Sequence, residues 1–163
     1  QRQMCIRDSA EVVRKDLGTD ISSIPGSGAA GGLGGGIVAF LDGQLRPGVD
    51  IVLDTIHFND ELDGADLVIT GEGSMDFQTV FNKAPIGVAR LAKTRDIAVI
   101  AISGSLGEGY TDVHVHGIDA LSAITRAPMD IDEAIARCSE LVADSTEQAL
   151  RMMQAGSAAF RTS

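Results

Sequence analysis

The chain contains no tryptophan, one tyrosine and only 4% aromatic residues. Its two cysteines, Cys5 and Cys138, form neither a metal-type spacing nor a disulfide framework. A reduced, cytoplasmic setting is the default expectation. No apolar run reaches the roughly 18 residues needed to span a bilayer, and no signal-peptide pattern opens the sequence. Positive charge is also scarce. Thirteen Lys and Arg face 23 Asp and Glu, for a formal net charge of −10. That balance argues against a nucleic-acid or anionic-membrane surface, which needs clustered cations. It leaves room for one small anion held by backbone N–H groups, and for Mg²⁺ at a local carboxylate pair.

Glycine, by contrast, is abundant. Seven of the eleven residues from Gly26 to Gly36 are glycine, in the run Pro25-Gly-Ser-Gly-Ala-Ala-Gly-Gly-Leu-Gly-Gly-Gly36. Glycine loses the most freedom on folding, so a cluster of it points to backbone that must approach something closely. The segment Gly26-x-Gly28-x-x-Gly31 matches the dinucleotide fingerprint in form, but the residues before it make a weak strand. That context speaks against a nicotinamide-dependent enzyme. A helix that opens with free N–H groups toward an anion is one reading of Gly26, Gly28, Gly31 and Gly32. A close helix crossing that demands glycine is the other.

The rest of the chain reads as alternating elements. Residues 1–9 show no clear periodicity and look like a truncated or non-native start. Residues 10–17 read as the end of a helix stopped by Gly18. Leu33 to Leu41 forms a helix body ended by Asp42-Gly43. Pro47 to Ile56 is helical, with Val49, Val52, Leu53 and Ile56 on one face. From residue 65 the texture changes. Ala65–Thr70 is a strand leading into a Gly71-Glu72-Gly73 loop. Ala84–Thr94 is an amphipathic helix and Ile97–Ile102 an apolar strand that ends at Ser103-Gly-Ser105. Tyr110–Val115 is a short helix, Ile118–Ile124 a third strand and Asp130–Ala155 one long helix capped by Asp130 or Asp132. This order predicts an α/β fold: a parallel sheet with flanking helices in three layers. The organisation expected is 1–9 as the start, 10–64 as a glycine-rich and helical segment, and 65–163 as the parallel α/β segment.

In such sheets ligands gather at the carboxyl ends of strands. There the sequence sets Glu72 and Asp76, with Gln78, Thr79 and Lys83 just beyond. Either carboxylate could hold Mg²⁺ or accept a proton from a substrate hydroxyl. Lys83 could neutralise phosphate as a point cation. An ordinary capped loop with a solvated lysine is the plainer alternative. Ser105 could donate to an anion, or Ser103–Ser105 could be a simple turn. His114-x-His116 lacks a third ligand in view and reads as surface or structural. Cys138 reads as a packing residue of the last helix.

These blocks together resemble the bacterial glycerate kinase family, the type-1 glycerate kinases. The resemblance rests on Pro25–Gly32, Leu45-Arg-Pro-Gly-Val-Asp50, Leu67-Val-Ile-Thr-Gly-Glu-Gly73 with Asp76, Gln78, Thr79 and Lys83, then Pro85-Ile-Gly-Val-Ala89, Gly104-Ser105 and His116-Gly-Ile-Asp119. It covers the chain from about Ala10 to the last helix, and it is similar to the carboxyl-terminal part of a family member only. Two positions depart from the family pattern: Asn82 stands where glycine is usual, and Ser74 where arginine is common.

The resemblance implies transfer of the terminal phosphoryl of ATP to a hydroxyl of D-glycerate, with ATP and Mg²⁺ as cofactors and no nucleic-acid or membrane partner. It implies a catalytic group of Asp76, Glu72 and Lys83, with Glu72 and Asp76 facing metal. Gly26, Gly28, Gly31, Gly32, Gly71 and Gly73 would approach the nucleotide, and Gln78, Thr79 and Ser105 the substrate. A piece of such an enzyme is expected to be inactive alone. The competing reading is a non-catalytic α/β domain that binds a small anion.

Overall fold

The computed structural model describes residues 2–160. Residue 1 and residues 161–163, the ends of the first and last segments expected from sequence, lie outside the described residues. The chain divides into two compact units, residues 1–47 and 48–163.

The first unit holds α1 (Arg2–Leu17) and α2 (Ala29–Leu41). Helix α1 runs through most of the segment that shows no periodicity in sequence, and Gly18 leaves it at φ +72°. Ala10, Val13 and Ile21 form a small buried cluster, with Val38 and Ala39 of α2 packed on it. Regular α2 geometry begins only at Leu33, because Ala30, Gly31 and Gly32 are left-handed at φ 50°, 75° and 97°. The helix ends at Asp42, also left-handed, where the Gly43 N–H donates to the Ile37 carbonyl at 3.1 Å.

The second unit is built on a parallel sheet ordered β1-β2-β3, with β1 Leu67–Met75, β2 Ala98–Leu106 and β3 Ala120–Ala123. The register sets Val68 beside Val99, Thr70 beside Ala101 and Ile100 beside Ala120. Side chains of a strand alternate between faces, and β2 shows what each face meets. Val99 and Ala101 join Val68 and the buried residues Ile86, Ala89 and Ala92 of α5 (Ala84–Lys93). Ile100 and Ile102 join Ile124 and the buried Leu141 and Ala149 of α7 (Cys138–Phe160). Helices therefore cover both faces, giving the three layers read from sequence. Continuous burial along Val99–Ser103 follows from that central place. Each such Val or Ile contributes about 1.5–3 kcal/mol by leaving water.

Helices α3 (Gly48–Thr55) and α4 (Phe58–Glu61) belong with the sheet unit, so the observed division falls after Pro47 rather than after residue 64. The contact is close: a Cβ at Gly87 of α5 would lie 2.3 Å from Cγ2 of Val49. Of the apolar face expected on α3, Leu53 is buried, while Val52 and Ile56 are exposed.

Three further differences bear on the site. β1 does not end at Thr70. It runs through Gly71-Glu72-Gly73 to Met75, paired with β2 as far as Leu106. The predicted loop is therefore strand, because pairing to a neighbour outweighs the low strand preference of glycine. The last helix is two: α6 (Ile131–Ala136) and α7, broken at Arg137 where φ is −101° and ψ 10°. Asp130 is the N-cap, its carboxylate accepting the Glu133 N–H at 2.8 Å. Cys138 is exposed rather than packed.

A carboxylate–lysine cluster at the strand tips

Past Met75, which is fully buried, the chain turns sharply. The carboxylate of Asp76 accepts the Gln78 N–H at 2.8 Å, and the Asp76 carbonyl accepts the Thr79 N–H at 3.0 Å. An Asp that closes a turn on the N–H two residues ahead is a standard local use of that side chain. Asn82 then takes φ +59°, the conformation that glycine adopts freely and Asn tolerates. This accounts physically for the substitution noted from the sequence. Lys83 follows as the N-cap of α5, with Pro85 in the first turn.

These turns bring three charges together. Lys83 Nζ lies 3.8 Å from Glu72 Oε2 and 3.8 Å from Asp76 Oδ1. Glu72 and Asp76 are each partly buried, at 17% and 28% side-chain exposure, and Lys83 is 37% exposed. Thr79 is completely buried. Its hydroxyl donates to Glu72 Oε1 and accepts the Asp76 N–H at 3.2 Å. It therefore braces both acidic residues from beneath. The substrate contact expected for Thr79 is replaced by a hydroxyl spent inside the protein. Gln78 remains exposed.

Ser103 is a second brace that the sequence did not single out for this task. Buried to 1%, it accepts the Met75 N–H at 3.1 Å and donates to the Ser105 carbonyl at 2.8 Å. Ser105 is exposed, and its hydroxyl donates to Ser74 Oγ at 3.0 Å. Two glycines have a reason within the sheet itself. A Cβ on Gly71 would lie 2.0 Å from the Ile102 carbonyl oxygen, and one on Gly104 would lie 2.3 Å from that of Gly73. The close approach assigned to Gly71 is thus to the neighbouring strand.

The glycine-rich segment lies in the first unit. Gly28, Gly31, Gly32 and Gly36 line a cavity of about 550 Å³ with Ser22 and Ser27. Gly34 and Gly35 serve packing instead, since a Cβ there would meet Gly26 O at 2.6 Å and Ile21 Cδ1 at 2.8 Å. The close-packing reading holds at Gly34 and Gly35. His114 donates from Nδ1 to the Ile118 carbonyl at 2.7 Å, a structural bond. Asp119 clamps the start of β2. One of its oxygens accepts from Lys93 Nζ at 2.6 Å and from the Val99 N–H at 2.7 Å. The Lys93 hydrogen bond, then the Val99 N–H, hold its carboxyl below the usual value of 3.8.

Among the described residues, no three His, Cys, Asp or Glu side chains are placed to hold a metal ion by themselves. The neighbouring carboxylates of Glu72 and Asp76 are oxygen donors of the kind Mg²⁺ would use, since that ion is held by one or two carboxylates and keeps several waters. Among the described residues, no helix is long and apolar enough to cross a membrane.

A parallel sheet with charged groups gathered at its strand tips defines an open α/β domain of the ligand-handling class. The model of the glycerate kinase family matches residues 2–154, and the chain belongs to that family. A glycerate kinase of Halalkalibacterium halodurans is 50% identical over 142 residues, which cover 87% of this chain and 36% of the relative. Glycerate 2-kinase of Escherichia coli is 43% identical over 125 residues, covering 77% and 33%. A crystal structure assigned to glycerate kinase 2 of Salmonella typhimurium LT2 superposes with a TM-score of 0.68 at 38% identity, over 93% of this chain and 38% of that one. The chain spans about a third of the length of the curated relatives it matches.

Proposed function

We propose that the whole protein transfers the terminal phosphoryl group of ATP to a hydroxyl of D-glycerate, and that this chain supplies part of the site. The observation that carries the reading is the Lys83 ammonium set 3.8 Å from both Glu72 and Asp76 at the carboxyl end of β1. Phosphoryl transfer asks a protein mainly for positioning and charge neutralisation. Lys83 neutralises the phosphate charge. Glu72 and Asp76 would supply one acceptor for the alcohol proton and one anionic ligand for Mg²⁺, whose charge would offset that of the phosphates. Thr79 holds Glu72 in place. Ser105 and Gln78, both exposed, face the substrate. Gly28 and Gly31 offer backbone N–H groups to an anion in the first unit, whereas the Gly32 N–H donates to the Gly28 carbonyl at 3.3 Å. The setting proposed is the cytoplasm.

The test is a coupled ADP-release assay with D-glycerate on the whole protein. Asp76→Asn and Glu72→Gln should each lower kcat by about 100-fold or more, the worth of a proton-transfer or metal-facing group. Lys83→Met should lower kcat/KM for ATP. Turnover within twofold of the parent in both carboxylate variants would refute the assignment. A simple anion-binding domain would instead bind phosphate and release no ADP.

A further inference from the structure

A strand pays in order for each glycine it contains, and two of the three strand-tip glycines are explained by the sheet. Gly73 is not. Its φ is not left-handed, and a Cβ built on it meets no atom of the protein within 4 Å. The space it leaves open belongs to a cavity of about 820 Å³ at the carboxyl ends of β1 and β2, closed by the residues after β3 and by α6. Gly73 and Gly104 form one wall, with Ser74 and Ser105 on the rim. Ile124, Met129, Ile131 and Ile135 form the apolar walls. No Lys, Arg or His lines the cavity to pair with the glycerate carboxylate. The one large, flat, apolar group in an ATP-dependent reaction is the nucleobase.

We propose that this cavity holds the purine ring of the nucleoside triphosphate, with the ring lying against the Gly73 backbone. The inference rests on the phosphoryl-transfer reading above. Gly73 sits between Glu72 and Ser74 at the end of β1, so a base seated here lies beside the strand that carries Glu72. Apolar walls with a few polar rim groups are the usual make-up of such pockets. Open space in front of a strand glycine is what a planar ring needs to approach the backbone.

Cys138 lines the same cavity and is exposed, so it reports on occupancy. The experiment uses this chain with Cys5→Ser, which leaves Cys138 as its single thiol, and follows alkylation by iodoacetamide. ATP and adenosine are expected to protect Cys138, slowing labelling about tenfold at about ten times their dissociation constants. Inorganic triphosphate and glycerate are expected to leave the rate unchanged. Gly73→Val adds a side chain that suits a strand, with a Cβ that has no neighbour within 4 Å. It should raise the half-protecting ATP concentration about tenfold or more, as a misfitted group does in a close apolar pocket. Ile135→Glu, on an exposed helix position, should do the same without touching the core. The inference is overturned if ATP and adenosine leave alkylation unchanged, if inorganic triphosphate protects as well as ATP, or if both variants keep full protection. Adenosine protection of this chain, together with undiminished ADP release by the whole protein carrying Asp76→Asn, would keep the base site and discard the catalytic reading.

Discussion

Thr79→Val isolates the contribution of one hydroxyl, because the two side chains have nearly the same shape. Thr79 has no exposed surface, and its hydroxyl holds two partners at once: the Glu72 carboxylate and the Asp76 N–H. A hydrogen bond to a charged group is worth about 1.5–3 kcal/mol, and a buried N–H left unpaired costs about 1–3 kcal/mol. Glu72 is 17% exposed, so water recovers part of the first amount. The expected loss is about 2–3 kcal/mol. For a chain of 163 residues each kcal/mol moves the midpoint by about 2–4 °C, so Tm should fall by about 4–12 °C. Urea unfolding followed by circular dichroism gives the free energy. Thr79→Ser keeps the hydroxyl and should retain most of the stability. A Thr79→Val protein within about 0.5 kcal/mol of the parent, the scatter of an ordinary surface change, would refute the brace. So would a Thr79→Ser protein as unstable as the valine variant.

Other expectations follow from the same geometry. Gly71→Ala sets a methyl 2.0 Å from the Ile102 carbonyl oxygen; parting β1 from β2 should lower the urea midpoint by the equivalent of about 3 kcal/mol or more, beyond the range of ordinary substitutions. At Asn82, where φ is +59°, a change to Val should cost about 1–2 kcal/mol in thermal unfolding while a change to Gly stays near neutral. The Asp119 carboxyl is held below 3.8 in the fold, so its stabilisation is complete above 3.8 and fades as pH falls through the lower folded value. Asp119→Asn should therefore cost up to about 1 kcal/mol at neutral pH, a figure modest because the side chain is half exposed, and nothing in strong acid; a gap that widened on acidification would contradict the clamp.

The sequence was most informative where a residue's neighbours along the chain decide its state. The run Ile97–Ile102 announces a strand buried on both faces, and the Ala84–Lys93 helix follows from its apolar spacing and its early proline. Asn82 stands where glycine is usual, and Asn is among the residues that tolerate positive φ. The misses involve partners that only the fold brings together. Gly71-Glu72-Gly73 reads as a loop until β2 is there to pair with it. Thr79 reads as a ligand contact until its hydroxyl is seen to reach Glu72. Ser103 becomes a brace only once Met75 lies beside it. Neither the break at Arg137 nor the exposure of Cys138 has a signal in proline, glycine or polarity. The acidic pair and Lys83 were legible because their spacing survives the turn that joins them, whereas the apolar cavity beside Gly73 draws its walls from segments about thirty to sixty residues apart.

The central claim is that phosphate and its metal meet at Glu72, Asp76 and Lys83. It is tested most directly by adding Mn²⁺ with ATP to the ¹⁵N-labelled chain and recording which amide signals the paramagnetic ion broadens. The account predicts loss of the Glu72, Asp76 and Lys83 signals first, and recovery of those signals in the Glu72→Gln, Asp76→Asn double variant. Broadening that leaves these amides untouched and centres on another part of the chain would contradict it.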